Sequence, residues 1–494
     1  MATFGSRAAL YSVRMELALA CLEKDDQSTL EKLMEKESDP DLVNEVLYQA
    51  AKGGFLKCVK TLVQYGADVN YKEVSDDETV LGVSCLKRHV LVTTYLVNET
   101  PCDVNAQVTS DLHSALHTCA GFKSVECCRI LLEAGAKPNI VDCYDNSPLI
   151  VACLHNNDGV VRLLLGAGSD VNKKNIRSRD AFNIAIDEGH AGCVRELLLA
   201  HPDLASSRGG DGLYPLTRAI RDRQSHVVRA FIDSGCDINC PEATILTPLH
   251  LAIEVGDSVL VQTLVDGGVS VNERLNLPLR GATPLMLAVV KEQADVVKVL
   301  ANSTCDLDMF DTIGRTALYM ATKHRAQQCM RELLWAGADP DAYNSPDESP
   351  PVPAPTAIHA AVLFDCKEEA VMLIQAGCNV DFFALYDSFT TGPTPLCPIS
   401  VACVRQKHWA LPVLLSAGAK CIDSISAMHD IPDVVMPHYE NTLFLQKNPH
   451  KLKHLCRKAI RDLCGRSFMR KAQNLPLPKV LISYLMYEEL FDLL

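Results

Sequence analysis

Cysteine and histidine are the residues here best suited to nucleophilic or metal chemistry, and their spacing argues against both. The chain holds 21 Cys, yet none falls in a Cys-x-x-Cys pair, and the nearest approach, Cys236 with Cys240, has no matching second pair. Cys58, Cys128, Cys153, Cys193 and Cys403 stand where a helical pattern asks for a small apolar side chain. Reduced, buried thiols are expected, and with them a cytoplasmic or nuclear compartment. His117, His250 and His359 recur in one phase of a repeating pattern, which suits a bracing hydrogen bond better than catalysis. There is no glycine-rich phosphate loop, His-Glu-x-x-His helix, nucleophile elbow or convincing pair of carboxylates. No catalytic residue, metal or cofactor is expected.

The chemistry that remains is recognition, and it concentrates near the C-terminus. Leu452, Leu455, Cys456, Ala459, Ile460 and Leu463 recur at three and four residues, which gives a short helix one apolar face. Lys453, Arg457, Lys458 and Arg461 fall on its wet side. From Lys447 to Lys479 ten Lys or Arg stand against one acid, Asp462. Interleaving with apolar residues makes this a solvated basic face rather than a nucleic-acid patch. The net charge of -14 on the whole chain also disfavours phosphate backbones and anionic lipid. Further on, Leu475-Pro476-Leu477-Pro478 must be nearly extended, because its prolines fix φ and withhold backbone donors. The plainer alternative is a C-terminal cap followed by a linker.

These residues need a scaffold, and 494 residues exceed what one globular core usually holds. Instead, a period near 33 residues runs through most of the chain. Gly66-Ala67-Asp68-Val69-Asn70 returns as Cys102-Asp103-Val104-Asn105, Gly135-Ala136-Lys137-Pro138-Asn139 and Gly168-Ser169-Asp170-Val171-Asn172. It continues through Cys236-Asp237-Ile238-Asn239 and Gly268-Val269-Ser270-Val271-Asn272 to Gly337-Ala338-Asp339-Pro340-Asp341 and Gly377-Cys378-Asn379-Val380-Asp381. Upstream of most of these lies a second landmark, seen at Ser147-Pro148-Leu149, Thr247-Pro248-Leu249-His250, Thr283-Pro284-Leu285, Thr316-Ala317-Leu318, Thr356-Ala357-Ile358-His359 and Thr394-Pro395-Leu396. The hydroxyl caps a helix whose first turn suits the fixed φ of proline. A second apolar helix follows, the glycine stops it in a left-handed conformation, and the Asp-x-Asn run turns the chain. Each unit is a helical hairpin that must bury its apolar face on its neighbours.

Several segments depart from this pattern. The units near Val80 to Asn105 and Asp180 to Ala205 lack Thr-Pro, and their helices are expected to be shorter or displaced. Asn344 to Pro355 and Phe382 to Pro393 are insertions, expected as surface loops on one face, with contact to a partner as the alternative. Residues 8–36 read as a degenerate repeat in which Leu17, Leu19, Leu30 and Leu33 cover the first full unit while Glu31, Lys32, Glu35 and Lys36 face water. No segment approaches the roughly 20 apolar residues needed to cross a bilayer, so neither membrane nor nucleic acid is expected as a partner.

The Thr-Pro-Leu-His-x-Ala signature resembles the ankyrin repeat, over roughly residues 44 to 422. The tail resembles a SOCS box. Leu452 to Arg461 is similar to its elongin-binding motif, and Leu475-Pro476-Leu477-Pro478 with Leu481, Tyr484 and Leu485 to its cullin-5 box. Lys451 departs from the Pro, Ser or Thr often found before the first leucine. The whole is similar to the ankyrin repeat and SOCS box family.

That resemblance implies an all-α chain: an ankyrin-repeat solenoid of about eleven helical-hairpin repeats behind a degenerate N-terminal cap, with a SOCS box of short helices. Its divisions would be a capping repeat at 1–43, the repeat domain at 44–422, a linker at 423–448 and the box at 449–494. It implies a non-catalytic substrate receptor of a ubiquitin ligase. Leu452, Leu455, Cys456 and Ile460 would bind elongin C with elongin B. Leu475, Pro476, Leu477 and Pro478 would bind cullin-5 with its RING subunit, and the repeats would hold an unidentified protein substrate. An ankyrin adaptor without ligase association is the alternative.

Overall fold

A computed structural model describes residues 17–19, 21–22, 27–35, 39–73, 77–108, 110–208, 213–239, 246–275, 281–343, 355–382, 384–388 and 392–419. Among these the chain is almost wholly helical and divides into two compact units, Met1–Asp237 and Ile238–Leu494.

In the first unit a short helix α1 (Gln27–Met34) precedes six hairpins: α2 (Pro40–Gly53) with α3 (Leu56–Gln64), α4 (Val80–Leu86) with α5 (Val90–Glu99), α6 (Ala115–Phe122) with α7 (Val125–Glu133), α8 (Pro148–Leu154) with α9 (Asp158–Gly166), α10 (Ala181–Asp187) with α11 (Ala191–Ala200), and α12 (Pro215–Arg221) with α13 (Ser225–Asp233). A two-residue pairing of Lys72–Glu73 with Glu78–Thr79, β1 and β2, leads into α4. The second unit holds five more: α14 (Pro248–Val255) with α15 (Ser258–Asp266), α16 (Pro284–Val290) with α17 (Ala294–Ala301), α18 (Ala317–Lys323) with α19 (Gln327–Ala336), α20 (Ala357–Leu363) with α21 (Lys367–Ala376), and α22 (Pro398–Val404) with α23 (Ala410–Ser416).

The capping residues act as their types require. Ser147, Thr247, Thr283 and Thr316 accept the backbone N–H three residues on, and Pro148, Pro248 and Pro284 occupy the first turn. The two units that lack Thr-Pro are nonetheless full length, contrary to expectation. Thr79 Oγ1 accepts from Gly82 N at 2.8 Å and Asp180 Oδ1 from Asn183 N at 2.8 Å, and α4 and α10 each span seven residues, as α8 does. The cap oxygen, rather than proline, sets the start. Gly66, Gly135 and Gly168 adopt φ of 88, 87 and 81° and end the second helices.

The Asp-x-Asn turns do more than reverse the chain. In several, the first side chain accepts from the N–H two residues on, as Asp68 does from Asn70 and Asp170 from Asn172, both at 2.9 Å. The last side chain reaches the next repeat: Asn70 accepts from Asp103 N, Asn105 from Lys137 N and Asn139 from Asp170 N, each at 2.8 Å. The second unit repeats the ladder through Asn239 to Ser270 N, Asn272 to Asp306 N and Asp308 to Asp339 N. Removing one rung at an exposed turn costs about 1 kcal/mol. Asn139→Ala is therefore expected to lower the urea midpoint modestly, and Asn139→Asp, which keeps the acceptor, to lower it less.

Small apolar residues line the packed helix faces, with Ala152, Cys153, Ala252 and Ala288 fully buried, and Tyr48, Phe182 and Phe231 are the largest fully buried rings. Cys58, Cys128, Cys153 and Cys193 are buried thiols, whereas Cys403 is half-buried. Burial pushes the Cys128 thiol up to about 12, so it is an inert filler.

Two expectations fail. The cover on the first repeat is made by Ala18, Cys21, Leu22, Leu30 and Met34, while Leu17 is half exposed and Leu19 and Leu33 only partly buried. Of the four expected leucines only Leu30 is fully buried, and Leu22 and Met34, outside that set, supply the other large apolar side chains of the cover. Glu31 is half-buried and Lys32 and Glu35 exposed, while Lys36 lies outside the described residues.

The signature Thr394-Pro395-Leu396 does not start a helix either. It lies on β4 (Gly392–Leu396), paired antiparallel with β3 (Ala384–Ser388), so this insertion is largely a hairpin and not a plain loop. The helix begins at Pro398 after Cys397, which places Ile399, Val401 and Ala402 in the core. Apolar register thus overrides the capping hydroxyl three residues upstream. The other insertion falls almost entirely outside the described residues.

Candidate functional site

The signature histidines sit at the start of the first helices and are structural. His117 Nδ1 accepts from Ser114 N at 3.2 Å and lies 2.9 Å from Ser114 Oγ, so its Nε2–H donates to the Asn146 carbonyl of the next repeat at 3.0 Å. His359 is held the same way, by Thr356 Oγ1 at 2.8 Å and the Leu396 carbonyl at 3.1 Å, and His250 by Thr247 Oγ1 at 2.7 Å. His117 and His359 thereby stitch a cap to the next repeat, whereas the hydrogen bond of His250 to Thr247 stays within its own cap.

Burial pushes all three down to about 4. They stay neutral in the fold but charge near pH 6.5 once unfolded, so unfolding takes up protons between those values. Their contribution is complete above pH 6.5 and lost as pH falls toward 4. Asp341, pushed up to about 6 by burial, and Glu78, also raised by burial, act in the opposite sense, since the fold binds their proton first. In the second unit two histidines outweigh one aspartate. The expected result is a lower urea midpoint at pH 5 than at pH 7, each histidine contributing on the order of 2 kcal/mol. His359→Gln should shrink the difference between the two pH values, and an unchanged difference would contradict this assignment.

Among the described residues, a cleft of about 480 Å³ lies in the first unit. It lies between α10 and α12, where the regular turn is replaced: the chain after α11 runs through a 3-10 segment, Pro202–Ser206, instead of another Asp-x-Asn rung. Arg177 and Arg179 enter from the turn before α10, and Arg218 and Arg221 from α12. Arg218 Nη1 donates to Asn183 Oδ1 at 2.8 Å and to Asp187 Oδ1 at 3.2 Å. Arg179 Nη2 lies 3.2 Å from Asp187 Oδ2 as an ion pair. One aspartate therefore holds two guanidinium groups, while Arg177 and Arg221 are exposed, with no side-chain partner among the described residues. Beside them Ile176 is 59% exposed and donates its N–H to the carbonyl of Tyr144, itself 51% exposed. Sequence reasoning missed this cleft. Its only linear signal is the run Lys173-Lys174-Asn175-Ile176-Arg177-Ser178-Arg179, four cations without an acid.

Among the described residues no group of three or more His, Cys, Asp or Glu is placed to hold a metal ion, and no helix is long and apolar enough to cross a membrane. The eight residues assigned to recognition in the tail, Leu452, Leu455, Cys456, Ile460, Leu475, Pro476, Leu477 and Pro478, lie outside the described residues.

Stacked hairpins joined by Asx rungs and bracing histidines define an ankyrin-repeat protein, and the family of ankyrin repeats (3 copies) matches residues 17–108, 95–175, 182–275 and 249–344. The SOCS box family matches residues 448–486, a span that contains all eight tail residues. The chain belongs to the ankyrin repeat and SOCS box family. It is similar to ankyrin repeat and SOCS box protein 16 of Mus musculus, 26% identical over 62% of this chain and 73% of that protein. The Homo sapiens protein of the same name is 26% identical over 61% of this chain and 73% of its own length. E3 ubiquitin-protein ligase KEG of Arabidopsis thaliana is 25% identical over 55% of this chain, which spans 17% of that protein's length.

Proposed function

We propose that this chain is the substrate receptor of a cullin-5 RING ubiquitin ligase. A SOCS box at 448–486 following an ankyrin array is the observation that carries this reading. In it, Leu452 and Cys456 enter elongin C as apolar knobs, in the manner of a helix docking into a groove. Leu455 and Ile460 are shared between that contact and the box's own core. The stiff Leu475-Pro476-Leu477-Pro478 run meets cullin-5, and the ankyrin units hold the target. Ubiquitin transfer belongs to the RING subunit and its charged E2, so this chain contributes position rather than acid, base or nucleophile. Buried free thiols suit a cytoplasmic or nuclear setting.

Cross-linking mass spectrometry on cells expressing the chain tests this reading. Lys453, Lys458 and Lys471 are expected to link to elongin C or cullin-5, and lysines of the ankyrin units to a different protein. Links from both regions to one partner, with no elongin among them, would favour a plain ankyrin adaptor.

A further inference from the structure

The cleft between α10 and α12 has features that the stacking of repeats does not require. Four arginines face two aspartates there, in a chain whose net charge is -14. Asp187 is already engaged by Arg179 and Arg218, so the cleft's uncommitted charge is Arg177 and Arg221 against Asp222 alone. The Arg179 Nε–H, at the cleft, is buried without a hydrogen-bond acceptor, a state that ordinarily destabilises. Guanidinium groups suit carboxylates better than lysines would, because their planar forks bind both oxygens. Exposed Ile176 and Tyr144 set an apolar step at the edge of the charge. Opposite-sign charge beside an apolar anchor is the chemistry of peptide recognition. The overall negative charge works against a polyanionic backbone or an anionic bilayer, whose many charges would meet the rest of the surface.

We infer that this cleft receives an extended acidic segment of the target protein, its Asp or Glu carboxylates on Arg177 and Arg221 and an apolar side chain against Ile176 and Tyr144. The inference rests on the receptor reading and gives the substrate class for it.

The test uses the full chain and a fluorescein-labelled peptide of repeating Glu-Glu-Leu, followed by anisotropy. Saturable binding that weakens with salt is expected, with a loss of about tenfold or more in Arg177→Glu/Arg221→Glu. Lys298→Glu/Arg331→Glu, on helices of the other unit, should bind the peptide like the parent. Unchanged urea midpoints in both double variants exclude misfolding as the cause; should the first variant be destabilised, Arg177→Gln/Arg221→Gln replaces it under the same criterion. Equal affinity in the cleft variant and the parent would overturn the inference, as would equal binding of a Gln-Gln-Leu peptide. So would sedimentation with phosphatidylserine vesicles in the absence of peptide binding. Elongin recovery is measured on the same samples: peptide binding without elongins removes the receptor reading and leaves the cleft, whereas elongins without peptide binding removes only the cleft.

Discussion

Phe231→Ala is expected to destabilise the first unit by about 3–5 kcal/mol, the usual cost of emptying a phenylalanine site in a packed core. Phe231 on α13 is 1% exposed and meets Phe182 of α10, also 1% exposed, edge to face at 6.2 Å between ring centroids. The two rings tie adjacent repeats together, and a repeat that loses its neighbour loses most of what holds it folded. Against a total of about 5–15 kcal/mol, such a loss is a large share of the stability. Leu199→Ala, on the same stack but 60% exposed, should change stability by no more than about 0.5 kcal/mol. Urea unfolding of both variants decides it. Similar midpoints for the two would mean that the aromatic pair does not couple the repeats.

The second large effect falls on recognition. Leu452→Ala/Cys456→Ala is expected to weaken elongin capture by about a hundredfold or more, because two truncated anchors of about 2 kcal/mol each multiply in the binding constant. The unfolding of the ankyrin units should be unaffected. A joint loss of elongin binding and ankyrin stability would instead make the tail a cap on the last repeat. Arg457→Ala, on the wet side of the same expected helix, serves as the control and should retain capture.

Much of this architecture was legible because its determinants are local and periodic. A capping hydroxyl, a first-turn proline, a left-handed glycine and an Asx turn each act within four residues, so Thr283, Pro284, Gly268 and Asp170 announce their roles locally. The SOCS box over residues 448–486 was legible for the same reason. What escaped depended on choices between near-equal alternatives or on distant segments. Thr394 and Cys397 both offer a residue followed by proline, and only the burial of Ile399, Val401 and Ala402 selects the second. At the N-terminus the leucine spacing suggested one face, but of its residues only Leu30 is fully buried, and Ala18, Cys21, Leu22 and Met34 complete the cover. The arginine cleft joins a turn at 177–179 to a helix at 215–221, and no local pattern records that juxtaposition.

Co-purification of the full chain with elongins B and C, beside a version lacking residues 449–494, measures the central claim most directly. One elongin B and one elongin C per intact chain, and neither with the shortened one, is the predicted outcome. Equal recovery from both, or none from the intact chain, would contradict it.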